Sequence, residues 1–345
     1  MGTKSDAFKK VVKILFVDEK DENDKYRKAG FSALYRKEIT DQFKSRRFVI
    51  VLLMIAITAI VSVYSAGQGI QSAVQSSSSS SSSVFLSLFT SSGSSLPSFV
   101  SFLSFLGPIV GLTLGFDAIN GERSRRTLSR LVSQPIYRDS IINGKFAAGV
   151  TVITIMIFFL GLMVAGAGII MTGIPPTSEE LLRLLLFLVF TVVYMSLWLS
   201  VSMLFSLVFR HAATSALSGI AIWVFLSFFM GMLASAIANG IYPVTDQSTM
   251  DVAVSNYNVA AGISRISPAT LYSESVSTVL DPSVRSLGLG QLLVTQVQGA
   301  VPGAFPLDQS LLLVWPHLIG LLAITMICFA ISYVVFMRQE IRAGA

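Results

Sequence analysis

Six stretches of the chain are continuously apolar, near residues 48–66, 99–116, 146–171, 184–209, 213–238 and 311–337, and polar residues return between them. An apolar run of about 20 residues crosses a hydrocarbon core of about 30 Å when it coils as an α-helix, the geometry that satisfies every backbone group internally. The pattern therefore predicts six transmembrane helices. Membrane-spanning strands would alternate apolar and polar positions over about ten residues, and the continuity of these runs argues against them. The first run follows a polar region of 47 residues. A cleaved signal peptide is not built that way, so this helix is expected to stay in the mature chain.

Composition sharpens the picture. Of 345 residues 53% are hydrophobic and 13% charged, with a mean hydropathy of +0.71, whereas a soluble domain carries roughly 25% charge. So few charges cannot cover a water-soluble globule of this size. A cytosolic enzyme and a soluble nucleic-acid binder are both excluded, despite the formal charge of +6. The single cysteine, Cys328, lies in the last apolar run and cannot form an internal disulfide.

The distribution of charge predicts orientation, because Lys and Arg are retained on the cytoplasmic side. With the N-terminus inside, 22 of the 25 basic residues are cytoplasmic: 13 before the first span, six between spans two and three, Arg210, and Arg338 with Arg342. Arg183, Arg265 and Arg285 remain outside with seven acids, so the outer segments carry −4 against +10 within. Both termini are expected in the cytoplasm of a cell (plasma) membrane protein. The basic balance then reflects orientation and implies no nucleic-acid partner.

The polar connections differ in kind. Residues 67–98 contain a serine run of low complexity that has no core of its own. In residues 172–183 the turn TGIPPTSEE ends one helix at Pro175 and Pro176, and Thr177 or Ser178 can cap the next. Residues 240–310 are long enough for a small external subdomain. Within them Ser267-Pro268 opens and Asp281-Pro282 closes a predicted helix, PATLYSESVSTVL, which can meet a substrate or an extracytoplasmic partner or pack as a lid on the bundle. Residues 1–30 form a cytoplasmic segment and charged linker, with a short apolar helix from Val11 to Val17.

Ion-coupled transporters place ionisable groups within their spans. Here only His317 and, at an outer end, Arg183 come near. His317 follows Pro316 and is expected to bond a carbonyl that the proline frees. No zinc, nucleophile-elbow or carboxylate-pair motif is present, and Gly144-Lys145 lacks the leading glycine and the Ser/Thr of a phosphate loop. The chain is therefore expected to be neither an enzyme nor a holder of metal or cofactor; if it does vectorial work, ATP and Mg are bound by a separate subunit.

That directs attention to the loop 117–145. Residues 121–133, wound as a helix, gather Leu128, Leu131 and Val132 on one side and Arg123, Arg126 and Arg130 on the other. Pro135 ends the element, Asp139 or Ser140 caps the helix into span three, and Lys145 sits at headgroup level. Such a helix can lie in lipid headgroups or act as a lever in a partner's groove. Gly107, Gly111 and Gly115 form a stripe on span two for close helix packing, with Pro108 set to kink the helix beside it. Small residues also line spans three and five, and span two or five is the expected contact with a second copy.

Three features resemble the permease subunits of ABC-2-type ATP-binding-cassette transporters, a class that includes the permease of the nitrous-oxide-reductase maturation system. One is the loop pattern of Asp117, Gly121, Glu122, Thr127, Leu128 and Leu131, then Gln134-Pro135-Ile136 and Arg138, before Gly144-Lys145. Another is the amphipathic stretch 31–47, with Phe31, Leu34, Tyr35, Ile39 and Phe43 at helical spacing and five Lys/Arg, which is similar to the family's interfacial elbow helix. The third is an all-α topology of six spans over residues 48–345 with both ends inside. The resemblance implies an ATP-driven permease, an exporter, energised by a nucleotide-binding ATPase subunit. That subunit would dock a coupling helix at Glu122, Arg123, Thr127, Leu128, Leu131, Pro135 and Arg138. It also implies pairing with a second permease copy or a related permease in membrane lipid. The competing reading is a membrane scaffold or mechanical coupler for an extracytoplasmic partner, without transport.

Overall fold

The computed structural model describes residues 30–76, 84–90, 98–125, 127, 137–173, 175–245, 248–282 and 306–339. Among these residues every regular element is helical: α1 over 30–44, α2 Arg46–Ser76, α3 Val84–Thr90, α4 Phe99–Gly115, α5 Asn120–Ser124, α6 Arg138–Thr172, α7 Ser178–Val208, α8 Ala212–Val224, a π-helical turn Phe225–Phe229, α9 Met230–Ile241, α10 Met250–Ser264, α11 Pro268–Leu280 and α12 Leu307–Arg338. Six stretches are long and apolar enough to cross a membrane: Arg46–Gly67, Phe99–Ser124, Arg138–Met171, Ser178–Val208, Ala212–Ile241 and Leu307–Arg338. The protein is an all-α integral membrane protein. The serine run 77–83, the segment Val11 to Val17, and Leu128, Leu131 and Pro135 lie outside the described residues.

The fourth span is the hub, with 67% of its apolar window buried, and the fifth is the periphery, with 11%. The glycine stripe explains the hub. A methyl added at Gly111 would sit 2.5 Å from the Met195 carbonyl and 2.9 Å from the Leu199 nitrogen, and one at Gly115 would sit 2.9 Å from the Leu199 carbonyl. Backbone thus meets backbone between α4 and α7, the close approach that small residues allow. Serines on α7 fasten the same seam: Ser202 Oγ donates to the Leu112 carbonyl at 2.8 Å, and Ser206 Oγ accepts from the Ile119 and Asn120 N–H groups at 3.0 and 3.1 Å. Pro108 removes the donor that would bond the Ser104 carbonyl, and the Tyr194 hydroxyl donates to that oxygen at 3.1 Å. The stripe on span two is therefore filled by span four of the same chain.

Caps set the turn between spans three and four. Gly173 takes φ +69° at the end of α6, where an L side chain would be strained, and its N–H reaches the Ile169 carbonyl at 2.8 Å. Thr177 then forms a capping box with Glu180, as the sequence suggests. At the other end α6 starts earlier than expected. Its cap is Tyr137, and Asp139 lies in the first turn, where a carboxylate suits the positive end of the helix dipole. The 35 residues of α6 rise about 52 Å, so its first turns project beyond a core of about 30 Å.

The segment after span five returns into the bundle. α11 begins and ends where Ser267-Pro268 and Asp281-Pro282 predict, but it packs against α4, α7 and α12, with Tyr272, Ser275 and Val276 wholly buried. Of the two arrangements open for this helix, the bundle takes the packed one. Arg183 is interior as well, 1% exposed, with Glu179 and the Val279 carbonyl as partners. His317 departs from expectation: its Nε2 lies 2.8 Å from Glu274 Oε2, a stronger acceptor than the carbonyl that Pro316 frees.

Candidate functional site

The two described ends of the chain lie on one face of the bundle, and the loop after span two is tied down there. α5 ends at a cap on Arg125, whose N–H reaches the Gly121 carbonyl at 3.1 Å, and most of the helix expected over 121–133 lies outside the described residues. The ties begin at Asp117, which accepts from Arg47 at 2.6 Å while the guanidinium stacks over Phe116 at 5.0 Å. Arg123 donates to Gln339 Oε1 at 2.7 Å, and Gln339 Nε2 donates to the Leu207 carbonyl at 3.0 Å. The loop base thereby touches the ends of spans four and six and the start of span one.

Its centre is Lys145. The side chain is 5% exposed, and its ammonium donates to Glu38 on α1 at 2.9 Å and to Glu122 on α5 at 2.8 Å. This replaces the headgroup position expected for Lys145: the amphipathic helix α1 lies across the first turns of α6 and covers it. Gly144 permits that approach, since a methyl there would meet Leu34 at 3.2 Å, and Tyr35 bonds Thr151 at 2.7 Å about two turns further on. Lys37 extends the cluster to Glu38 at 3.0 Å, Asp41 at 3.4 Å and Glu122 at 3.6 Å.

Burial pushes the Glu38 carboxyl up, but the Lys145 and Lys37 ammonium groups and their hydrogen bonds outweigh it and hold Glu38 below the ordinary carboxylate range. For Lys37 burial pulls down, while Glu38, Glu122 and Asp41 more than restore it and leave the amine above its ordinary value. One lysine thus joins the amphipathic helix, the loop and span three through charge-assisted bonds in a site largely closed to water.

Of the residues the sequence singles out, Glu122 turns inward to Lys145, Arg123 reaches the end of α12, and Thr127 is exposed with its hydroxyl 3.2 Å from the Glu122 carbonyl. Arg138 opens α6. Glu38 escaped the sequence reading, although the signal was present: with Phe31, Leu34 and Tyr35 it occupies the packed face of α1, an acid where an apolar residue would suffice.

A comparison with family profiles matches residues 32–341 to the ABC-2 family transporter proteins. The match spans α1, the tied loop and all six spans. The chain belongs to this family. A search among curated proteins finds no match. As an ABC-2 family member the chain is a multi-pass membrane protein of the permease class, and the family in general partners with an ATP-binding subunit.

Proposed function

We propose that this ABC-2 chain is the membrane subunit of an ATP-driven exporter in the plasma membrane, with both termini cytoplasmic, energised by a separate nucleotide-binding subunit on the loop 117–145. The observation that carries the reading is the Lys145 bridge to Glu38 and Glu122. A push on the loop reaches α1 and α6 together, because one buried ammonium holds both carboxylates and moving either away breaks a charge-assisted hydrogen bond of about 1.5–3 kcal/mol. Leu128, Leu131 and Pro135 present the contact with the ATPase, joined by Thr127 and Arg138, while Glu122 and Arg123 hold the loop's base to the bundle. ATP and Mg belong to the partner, and a second permease copy completes the transporter.

Co-purification tests the docking. The full chain should retain an ATP-binding protein that Leu128→Asp with Leu131→Asp removes. Lys145→Met should keep that protein bound while nucleotide-driven transport fails. A stoichiometric ATPase complex that survives the double aspartate change would overturn the docking site.

A further inference from the structure

The second buried ionic cluster lies on the opposite face. Glu274, 11% exposed on α11, presents one oxygen, Oε2, to two donors: Arg265 Nε at 2.9 Å and His317 Nε2 of α12 at 2.8 Å. The other contacts of α11 divide into two kinds. Its buried hydroxyls are satisfied within the helix, Ser275 on the Leu271 carbonyl at 2.6 Å and Thr278 on the Glu274 carbonyl at 2.8 Å. Separation of that face from its neighbours would break none of those bonds. Bonds that cross to the spans are the Tyr272 hydroxyl with Thr191 at 2.9 Å, Arg183 with the Val279 carbonyl at 2.9 Å, and Glu274 with His317. Only the last crosses to span six with a charge on the α11 side chain. Thirteen residues rise about 20 Å, too short to span the core. α11 is a wedge inserted between spans two, four and six from one side, and a wedge so held can be withdrawn.

We propose that α11 is a gate at the far face of the bundle and that Glu274 is its latch, with His317 as the keeper on span six and Arg265 holding the carboxylate in place. The role in substrate exit rests on the exporter reading; the latch itself does not. The other charged groups on the helices around this cluster are Glu179, Glu180 and Arg183 at the start of α7, with Glu180 bonded to Thr177 and Arg183 to the Val279 carbonyl at the end of α11, and Asp308 and Arg338 in the first and last turns of α12. α4, α8 and α9 carry no titratable side chain, and those of α6 lie in its first eight residues, on the opposite face. Glu274 is thus the acid that meets His317.

Accessibility tests it without any ATPase, so a failure here is distinct from a failure of the docking assignment. In the full chain carrying Cys328→Ser, reconstituted in lipid nanodiscs, Ser275→Cys reports the gate and Ser215→Cys, buried in span five, reports the fold. A membrane-impermeant methanethiosulfonate should modify the Ser275→Cys thiol slowly. Glu274→Ala should speed that reaction about ten- to a hundredfold, and Glu274→Gln, which keeps a neutral acceptor for His317, by less. The Ser215→Cys thiol should stay protected throughout. If it reacts in the Glu274→Ala protein, Glu274→Gln decides. Fast modification at position 275 with Glu274 intact, or an equal rate with and without its carboxylate, overturns the gate.

Discussion

A methyl group at Gly111 tests whether spans two and four are locked backbone to backbone. An added Cβ would fall 2.5 Å from the Met195 carbonyl oxygen, 2.9 Å from the Leu199 nitrogen and 2.9 Å from the Trp198 Cβ, about 0.9 Å short of an ordinary contact of 3.4 Å at its worst point. None of these atoms belongs to the far end of a flexible side chain, so relief requires the helices to part. They cannot part locally, because the Ser202 and Tyr194 hydroxyls bond α4 on either side of Gly111. Overpacking costs about 1–3 kcal/mol in soluble cores, and backbone obstruction places Gly111→Ala at about 3 kcal/mol, a fall in Tm of about 5 °C or more. Two alanines calibrate it. At Gly107 the nearest atom is the terminal methyl of Met195 at 3.0 Å, which can swing aside, so Gly107→Ala should cost under about 1 kcal/mol. Gly166 has nothing within 4 Å, and Gly166→Ala should stabilise by about 0.5–1 kcal/mol through helix propensity alone. Thermal unfolding of the three variants in one detergent should rank them in that order. A Gly111→Ala protein as stable as Gly166→Ala would refute the seam.

Two further outcomes follow from local geometry. Glu38 is held below its ordinary range, so its contribution to stability is fully present above the unfolded value of about 4.3 and is lost as the pH falls through the lower native one; thermal unfolding from pH 3 to pH 7 should show that loss, and Glu38→Gln should flatten it. Thr177→Ala removes the capping box at the start of span four and should destabilise by about 1 kcal/mol, whereas Thr177→Ser should restore the wild-type unfolding temperature.

The spans were legible because a membrane helix is written locally: twenty apolar residues in a row need no knowledge of what lies beside them. The bounds of α11 and the Thr177 cap were legible for the same reason, since proline and threonine act on their own backbone. What stayed hidden depends on partners far along the chain. Lys145 reads as an interfacial lysine until α1, 107 residues earlier, brings Glu38 over it. The stripe at Gly107, Gly111 and Gly115 announces close packing and leaves its partner unnamed; span four of the same chain takes that place. For α11 the sequence leaves an external contact and packing on the bundle both open, because its Ser275, Thr278 and Glu274 are polar, and back-bonding with the His317 contact is what makes its burial tolerable.

The distribution of these bonds decides which parts of the bundle can move together. α7 grips the second span and the start of α5 by side-chain hydrogen bonds at Ser104, Leu112 and Ile119–Asn120, levels that span about 24 Å of helix rise. Tyr194, one of the gripping side chains, also stacks on Tyr272 of α11 with centroids 4.3 Å apart. Spans two and four therefore form one body that reaches from the Glu122 bridge to the far-face helix, and a displacement at either end is felt at the other. Span five is held less firmly: its window is 11% buried, and a π-helical turn interrupts its hydrogen-bond register. Hydrogen exchange in nanodiscs should show this contrast, with the α4 and α7 amides slowest and those from Phe225 to Ile241 opening earlier. Equal protection of α7 and α9 would mean that no rigid unit links the two faces.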